Sequence, residues 1–361
     1  MRNYLSRKGR KKNSLSGDEM TDIWTKLKNE EKPILLYGTG NGADKILDEC
    51  NNVGIKISGV FASSGFVRER YFRGFKVISF DIAKEIFGDF IVLLSFGSDR
   101  PEVIENVKAI MKTHSLYAPE VPVCGNETFN LEFAKKHSDK LYKVYSLLSD
   151  EQSRKVFKEC VLYKLDGDVT HLFSCETEEN EAFDNILKLK SGDSYLDLGG
   201  YNGDTVLDFI NRVKDTGNIT VVEPDPKSFN KLLKNTEGLN IRRINAAISD
   251  CCGAIPFSLK ASRGSTADGN DFITSITIDS ISENTKFDYI KFDVEGKELD
   301  AIIGGKETIQ RDKPKMLISA YHKSDDYFSI PLKVHEFNPE YKIYMRHYPY
   351  LPAWETNFYF I

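Results

Sequence analysis

Short apolar runs alternate with segments of helical spacing in two separate stretches of the chain. In the first stretch, a strand from Pro33 enters a glycine-rich turn and a helix, and further strands are predicted at 55–61, 76–78 and 90–95. In the second stretch, strands are predicted at 194–198, 219–223, 241–247, 273–279, 287–293, 315–321, 341–347 and 356–361. Helices are expected in most of the gaps, so the pattern is typical of an α/β protein with parallel sheets.

The region between the two stretches lacks this rhythm and is predicted to form connecting helices at 126–140 and 141–163, with a helix start at Ser149-Asp-Glu-Gln-Ser153. At 361 residues the chain exceeds the usual size of one domain. We therefore expect four parts, namely a basic disordered tail at 1–20, a small Rossmann-like α/β domain at 21–115, a helical linker at 116–180 and a larger α/β domain at 181–361.

Composition narrows the class of protein. The formal net charge is −5, and basic residues are interspersed with acidic ones outside the first twelve residues, so nucleic acid is a poor partner. No run approaches about 18 apolar residues, and no signal peptide is recognised, so we expect a cytoplasmic protein without a transmembrane segment. The six cysteines have no regular spacing, which argues against a zinc site and a disulfide framework.

The first chemical motif is the glycine-rich turn that follows the apolar strand at 195–198. Gly199, Gly200 and Gly203 allow a ligand to approach the backbone closely or allow positive φ. Asp204 and Thr205 are expected to cap the helix that follows. The pattern therefore predicts a cofactor loop, and the alternative is a structural turn without a ligand.

The second motif lies about 20 to 30 residues further on, where a nucleoside-binding unit places an acid for the ribose hydroxyls. Glu223 stands there, at the carboxyl end of an apolar strand. The first turn has the form Asp-x-Gly-x-x-x-Gly, unlike the dinucleotide fingerprint Gly-x-Gly-x-x-Gly. Asp197 would repel a pyrophosphate but suits the positive charges of S-adenosylmethionine, which favours a methyl-donor site.

Five ordered motifs resemble the FkbM family of S-adenosylmethionine-dependent methyltransferases. They are Asp-Leu-Gly-Gly-Tyr-Asn-Gly-Asp-Thr (197–205), Glu-Pro-Asp-Pro (223–226), Asn-Ala-Ala-Ile-Ser-Asp (245–250), Ile-Lys-Phe-Asp-Val-Glu-Gly-Lys-Glu-Leu (290–299) and Tyr-His-Lys-Ser-Asp-Asp (321–326). The resemblance covers about 180–361. It implies a Rossmann-like class I methyltransferase domain whose seven-stranded, mostly parallel sheet ends in an antiparallel hairpin.

The resemblance and the two motifs together give a set of expected cofactor contacts. The methionine end is expected near Asp197 and Gly199, the ribose at Glu223, and a second contact near the ribose or adenine at Asp225. The adenine is expected beside Ala246 and Ala247. The full set is Asp197, Gly199, Tyr201, Asn202, Gly203, Asp204, Thr205, Glu223, Asp225, Ala246 and Ala247.

The candidate catalytic residues are Asp293, His322 and His347. Asp293 ends a strand that projects beside the methyl group in this fold, and the two histidines end strands on the expected active edge. Asp293 and Glu295 would point to one face if the strand persists, and could then bind a divalent cation. The alternative for Glu295 is a helix cap. Ser265 and Thr266 are candidate acceptor contacts in a polar loop.

These observations lead us to expect an O-methyltransferase that acts on a hydroxyl of a sugar, glycan or secondary metabolite, and a homodimer is the base-rate assembly. One rival is a nucleotide-binding or oxidoreductase-like module in the amino-terminal domain, where Gly38-x-Gly40-x-x-Ala43 resembles a dinucleotide turn. The next strand there ends in Ala62 and Ser63 and lacks the ribose-binding acid. A second rival is a non-catalytic interaction protein.

Overall fold

The computed structural model of the protein describes residues 21–67, 70–125, 127–258 and 266–361. The predicted basic tail at 1–20 and the candidate Ser265 lie outside the described residues, and no side chain is described at Thr266. In the described part, every helix is too short or too polar to cross a membrane. The expected α/β class is confirmed, since the strands form mixed sheets flanked by helices.

The first sheet is built from the amino-terminal third of the chain. Its strands are β1 (Ile34–Tyr37), β2 (Gly59–Ala62), β3 (Tyr71–Phe72), β4 (Phe75–Ser79), β5 (Ile91–Leu94) and β6 (Leu116–Tyr117). They lie in the order β3-β4-β2-β1-β5-β6, and all neighbours are parallel except β3 and β4. Its helices are α1 (Ile23–Lys28), α2 (Asn41–Val53), α3 (Phe80–Phe87) and α4 (Pro101–Met111), with a 3₁₀ turn at Ser64–Phe66. All residues of β1 and β5 are buried, as expected of strands covered on both faces.

A helical segment connects this sheet to the second half of the chain. It contains α5 (Leu131–Lys136), α6 (Ser138–Leu147), α7 (Glu151–Asp166), α8 (Thr170–Cys175) and α9 (Glu179–Glu181), followed by a π-helical turn at Ala182–Leu187. The predicted helices at 126–140 and 141–163 are divided differently. Residues 141–147 belong to α6. The helix start predicted at 149–153 is confirmed, since the side chain of Asp150 accepts from the Ser153 N–H at 2.7 Å and thereby begins α7.

The described residues of the second half contain ten strands. They are β7 (Tyr195–Leu198), β8 (Ile219–Val222), β9 (Arg242–Ile244), β10 (Ala247–Ile248), β11 (Gly253–Ser258), β12 (Thr266–Ile276), β13 (Tyr289–Phe292), β14 (Lys315–Ser319), β15 (Ile343–His347) and β16 (Thr356–Phe360). Seven of them form one sheet in the order β15-β16-β14-β13-β7-β8-β9. In this sheet β16 is antiparallel to both of its neighbours and the other pairs are parallel.

Helices cover the two faces of this large sheet. They are α10 (Asp204–Val213), α11 (Pro226–Asn235), α12 (Ile278–Ile281), α13 (Glu298–Ile303), α14 (Lys306–Asp312) and α15 (Asp326–Phe337). The ring of Phe209 from α10 stacks on Tyr195 at a centroid distance of 4.5 Å, and Tyr195 stacks on Tyr289 at 4.9 Å. These rings fix α10 over β7 and β13.

Three further strands form a separate sheet in the order β10-β12-β11. In and beside this sheet, the bounds of two strands differ from the predicted ones. The predicted strand at 241–247 is two strands in different sheets, because the Asn245 side chain donates to the carbonyl oxygens of Glu223 and Pro224 and interrupts the ladder. The predicted strand at 273–279 ends at Ile276, because the Thr277 side chain caps α12. The predicted element types were therefore correct at these places and their bounds were wrong.

Candidate functional site

A cavity of about 320 Å³ opens at the carboxyl ends of β7, β8 and β13. This is the edge of a parallel α/β sheet where ligands bind. Of the predicted cofactor residues, Gly199, Tyr201, Asp204, Thr205, Glu223, Asp225, Ala246 and Ala247 line it. Asp293, Glu295 and His322 line the same cavity, whereas Asp197, Asn202, Gly203 and His347 are not among its lining residues.

The turn after β7 needs glycine because it passes very close to the backbone at the end of β13. A Cβ on Gly199 would lie 1.8 Å from the carbonyl oxygen of Asp293, and the φ of Gly199 is +85°. Only glycine fits such a position. Gly203 also has positive φ and occupies the N-cap of α10 without a side-chain cap. Of the two expected capping residues, Asp204 accepts from the Thr205 N–H in the first turn at 2.9 Å, whereas the Thr205 hydroxyl donates to Asp197 and caps nothing.

Glu223 joins the glycine turn to the end of β8. Its Oε2 accepts from the Tyr201 N–H and its Oε1 accepts from the Asp225 N–H, both at 2.8 Å. Burial raises the pKa of Glu223 to about 7, although these two N–H groups oppose the shift. Each carboxylate oxygen retains capacity for a further hydrogen bond, so Glu223 can still accept from ribose hydroxyls.

The side chains of Asp225 and Asn202 both accept hydrogen bonds from backbone N–H groups close to them in the sequence. Oδ1 of Asp225 accepts from the N–H groups of Lys227 and Ser228, which caps α11. Oδ1 of Asn202 accepts from the Asp204 N–H at 3.2 Å, within the turn. Asp225 thus lines the cavity and caps a helix, while Asn202 stabilises the glycine turn and does not line the cavity.

Asp197 lies behind the cavity wall and is fully buried. Its Oδ2 accepts from the Thr205 hydroxyl, and its Oδ1 lies 3.9 Å from Nζ of Lys291. Burial raises the pKa of Asp197, although Lys291 opposes the shift. Asp197 does not line the cavity itself, but it contacts Thr205 and Lys291, which do.

Lys291 lies between Asp197 and Asp293 and is a site residue that the sequence motifs do not predict. Its Nζ lies 3.5 Å from Oδ2 of Asp293, and the Tyr321 hydroxyl donates to Oδ1 of Asp293 at 3.2 Å. Burial opposes the ionised form of Asp293, but Lys291 and His322 outweigh burial and hold its pKa below the usual range. Asp293 is therefore an ionised carboxylate that faces the cavity.

His322 lies among three carboxylates. Its Nε2 is 3.6 Å from Oδ1 of Asp293 and 3.6 Å from Oε2 of Glu295, and its Nδ1 is 3.0 Å from Oε1 of Glu298. Burial alone would lower the pKa of His322, but the carboxylates outweigh burial and raise it to about 10. In this state His322 already carries a proton near neutral pH, so it cannot act as the general base that the sequence led us to expect.

Glu295 does not reach this cluster by continuing the strand. β13 ends at Phe292, and Glu295 has a φ of +52°. Its neighbour Glu298 receives hydrogen bonds at Oε1 from the Val294 N–H at 3.0 Å and the Gly296 N–H at 3.4 Å. This turn therefore brings both glutamates to the histidine, and α13 begins without a side-chain cap from Glu295.

His347 does not join the cluster. It is fully buried at the end of β15, and its Nδ1 lies 3.0 Å from the Thr356 hydroxyl. Because that hydroxyl donates to the Ala353 carbonyl oxygen, we assign the proton to Nδ1. Burial lowers the pKa of His347 to about 3. His347 is therefore a neutral residue of the protein core, and it does not line the cavity.

Segments far apart in the sequence complete the cavity. Val123, Tyr350 and Trp354 line it, and Lys45 of α2 holds the first segment by donating to the carbonyl oxygens of Pro122 and Val123. The signals in the sequence were weak, although Trp354 is one of only two tryptophans. The amino-terminal sheet thus supports one wall of the cavity.

The loop after β5 also supports this wall. Ser98 and Leu351 exchange two backbone hydrogen bonds, and a Cβ on Gly97 would lie 2.5 Å from the Trp354 ring.

A second cavity of about 330 Å³ meets the first at shared lining residues, which are Asp204, Thr205, Lys291, Asp293 and Glu355. The two cavities together offer adjacent space for two ligands.

Comparison with known structures shows the fold. The chain is similar to the methyltransferase FkbM of Methylobacillus flagellatus KT, with a TM-score of 0.73, 18% identity and 95% of each chain covered. A fibrillarin of Aeropyrum pernix, solved with bound S-adenosyl-L-methionine, matches at a TM-score of 0.31 and 17% identity, over 48% of this chain and 67% of its own. That score is too low for a detailed comparison.

Comparison of sequences gives the family. No curated protein sequence matches the chain. The family model of the methyltransferase FkbM domain matches residues 197–350, a range that includes both the glycine turn and the carboxylates around His322. The resemblance found in the five motifs is thereby confirmed. In sequence, residues 197–350 of this chain are therefore similar to the FkbM methyltransferase family, and the whole chain is similar in fold to a member of it.

Proposed function

We propose that the protein is an S-adenosylmethionine-dependent O-methyltransferase that acts on a hydroxyl of a sugar, glycan or secondary metabolite. The observation that carries the proposal is the single cavity that combines the glycine turn, Glu223 and the ionised Asp293. The proposal includes a cytoplasmic location and a homodimer as the assembly, and it excludes nucleic acid as the acceptor.

The residues at the cavity suit the proposed cofactor. Close packing at Gly199 keeps the turn free of a side chain, and Glu223 offers carboxylate oxygens to ribose hydroxyls. Ala246 and Ala247 also line the cavity, and their small apolar side chains would leave room for an adenine beside the ribose at Glu223. Asp197, which is fully buried, would favour the positive charge of the cofactor through the field of the site.

S-adenosylmethionine, when bound, supplies a methyl group on sulfur, so that the hydroxyl oxygen gains the methyl group as the carbon–sulfur bond breaks and the hydroxyl loses its proton. Asp293 is ionised, 31% exposed and directed at the cavity. We assign it to orient the hydroxyl and to accept that proton. Tyr321, which donates to Asp293, would hold the carboxylate in place.

The rival function in the amino-terminal domain has less support. A Cβ on Gly38 would lie 2.6 Å from the Phe96 ring, and one on Gly42 would lie 2.5 Å from the Ser95 carbonyl oxygen. These glycines therefore allow β1 and α2 to pack against the end of β5. Close packing explains Gly38 and Gly42 without a nucleotide, whereas a Cβ on Gly40 would meet nothing within 4 Å. Failure of reduced nicotinamide cofactor to bind would remove the rival.

The proposal is tested by methyl transfer itself. Wild-type protein is incubated with S-adenosylmethionine carrying an isotopically labelled methyl group and with a panel of sugars, glycans and hydroxylated metabolites. We expect label on an oxygen of one acceptor class, detected by mass spectrometry, and none with the Asp293→Asn variant. Label that appears only on nitrogen or carbon acceptors would contradict the O-directed assignment.

A further inference from the structure

We propose that Asp293, Glu298 and His322 bind one divalent metal ion. Each residue offers a ligand atom, and these atoms lie within 4.8 Å of one another. The three residues come from the end of β13, the start of α13 and the segment after β14, so the site is made by the fold and not by one stretch of sequence. No other such group of three occurs in the described residues.

Buried polar atoms without partners are the second observation. Glu298 is 0% exposed and His322 is 1% exposed. Within the described ranges, Oε2 of Glu298 and Nδ1 of His322 make no hydrogen bond, even though Nδ1 lies 3.0 Å from the other oxygen of Glu298. A buried polar atom without a partner costs free energy. A metal ion would satisfy Oε2 directly and would order the histidine ring.

The remaining contacts already hold the ligands in position. Oε1 of Glu298 accepts from the Val294 and Gly296 N–H groups, which leaves Oε2 available. Asp293 is held by Tyr321. Support of this kind for ligand side chains is characteristic of metal sites. The cluster as a whole is acidic, because Asp293, Glu295 and Glu298 all lie within 3.6 Å of the ring nitrogens of His322, and an ion would replace the single positive charge of the ring.

The donor set indicates which ion to expect. Carboxylates suit Mg²⁺, Ca²⁺ and Mn²⁺, while imidazole suits Zn²⁺ and other transition ions. Two carboxylates with one imidazole therefore favour Mn²⁺ or Zn²⁺ over Mg²⁺. The sequence pattern predicts Asp293 and Glu295 as the pair of metal ligands. Glu295 approaches His322 but is not in the group of three, so Glu298 takes its place.

The role of the ion rests on the proposed function. At this cavity a divalent ion would bind the acceptor hydroxyl and lower its pKa, so that the proton passes to solvent. Asp293 would then serve as a ligand of the ion and not as the proton acceptor. Dependence of methyl transfer on the ion separates these two roles of Asp293.

The test is direct metal binding to the whole chain after removal of metal with a chelator. Mn²⁺ is the main probe, because the exposed pair Cys251 and Cys252 offers Zn²⁺ a second place. The Glu298→Gln variant keeps the oxygen that accepts the backbone N–H groups and replaces the unpartnered oxygen. Asp300→Asn is the matched control, since it removes a carboxylate of the same helix that pairs with Lys297.

Titration calorimetry and elemental analysis are expected to give one Mn²⁺ per chain for wild type and Asp300→Asn. Glu298→Gln should bind at least about tenfold more weakly. Absence of Mn²⁺ and Zn²⁺ binding by wild type, or equal affinity of Glu298→Gln, would overturn the proposal. Binding of S-adenosylhomocysteine is measured on the same samples, so loss of the metal proposal alone is distinguished from loss of the methyltransferase proposal.

Discussion

The backbone N–H of Tyr201 donates a 2.8 Å hydrogen bond to Oε2 of Glu223. This bond joins the glycine turn after β7 to the end of β8, across the place where we propose the cofactor binds. It also holds Tyr201 at a φ of +43°, a conformation that costs a non-glycine residue free energy. The turn is therefore shaped before a ligand arrives, and changes at Glu223 should alter both the turn and the binding of the ribose.

Cofactor binding should depend on pH through Glu223. Because burial raises the pKa of Glu223 to about 7, the folded protein carries an increasing fraction of neutral Glu223 as the pH falls below that value. Neutral Glu223 has lost acceptor capacity for ribose hydroxyls, so affinity for S-adenosylhomocysteine should rise as the pH rises from about 6 to about 8. Calorimetric titrations across this range check the prediction. A Glu223→Gln variant with the same pH dependence as wild type would argue that another group is responsible.

The substitution Gly199→Ala should destabilise the protein more than Gly192→Ala. Both glycines have positive φ, but a Cβ at 199 would meet the Asp293 carbonyl oxygen, whereas nothing lies within 4 Å of one at 192. Gly192→Ala should lower the free energy of unfolding by ~1–2 kcal/mol, and Gly199→Ala by a further ~1–3 kcal/mol. Urea unfolding measures both. Equal losses would mean that the contact at 199 relaxes without cost.

The substitution Lys291→Met should be strongly destabilising. Nζ of Lys291 lies between Asp197 and Asp293, and its side chain is 13% exposed. Its removal leaves carboxylates without their cation, which should lower the free energy of unfolding by ~3–5 kcal/mol. The control Lys297→Met removes a half-exposed partner of Asp300 and should cost about 1 kcal/mol or less. Similar losses in the two variants would remove the assigned role of Lys291.

The substitution His347→Asn should leave methyl transfer and cofactor affinity unchanged. His347 is buried, its Nδ1 contacts the Thr356 hydroxyl, and it does not line the cavity. Asparagine keeps a donor for that hydroxyl, so only the stability of the fold should change. Initial rates measured at several pH values test this, and a lost limb in the pH–rate profile would restore His347 as a catalytic base.

Local patterns predicted the part of the site that is itself local. Gly199 and Glu223 each end a short apolar strand, so their places at one sheet edge follow from strand order alone. His347 was misjudged because the pattern gives the end of a strand but not what covers it. Here α7 packs against β15, and the Ser153 hydroxyl accepts from the Met345 N–H.

Contacts between distant segments could not be predicted from the sequence. Glu298 meets His322 only because Glu295 takes a positive φ and the turn folds back to the segment after β14. Val123 reaches the cavity through hydrogen bonds made by Lys45, and Trp354, in the loop between β15 and β16, packs beside Gly97 in the loop after β5. These relationships depend on how sheets and connecting segments pack, which strand periodicity does not encode.

The most direct measurement is calorimetric titration of S-adenosylhomocysteine into wild-type protein, the Glu223→Ala variant and the control Glu237→Ala, whose carboxylate is exposed. We predict binding by wild type and by the control, and binding weakened by ~1–3 kcal/mol in Glu223→Ala, because a hydrogen-bonded carboxylate is lost. Absence of binding by folded wild-type protein, or equal affinity of Glu223→Ala, would contradict the proposed cofactor site.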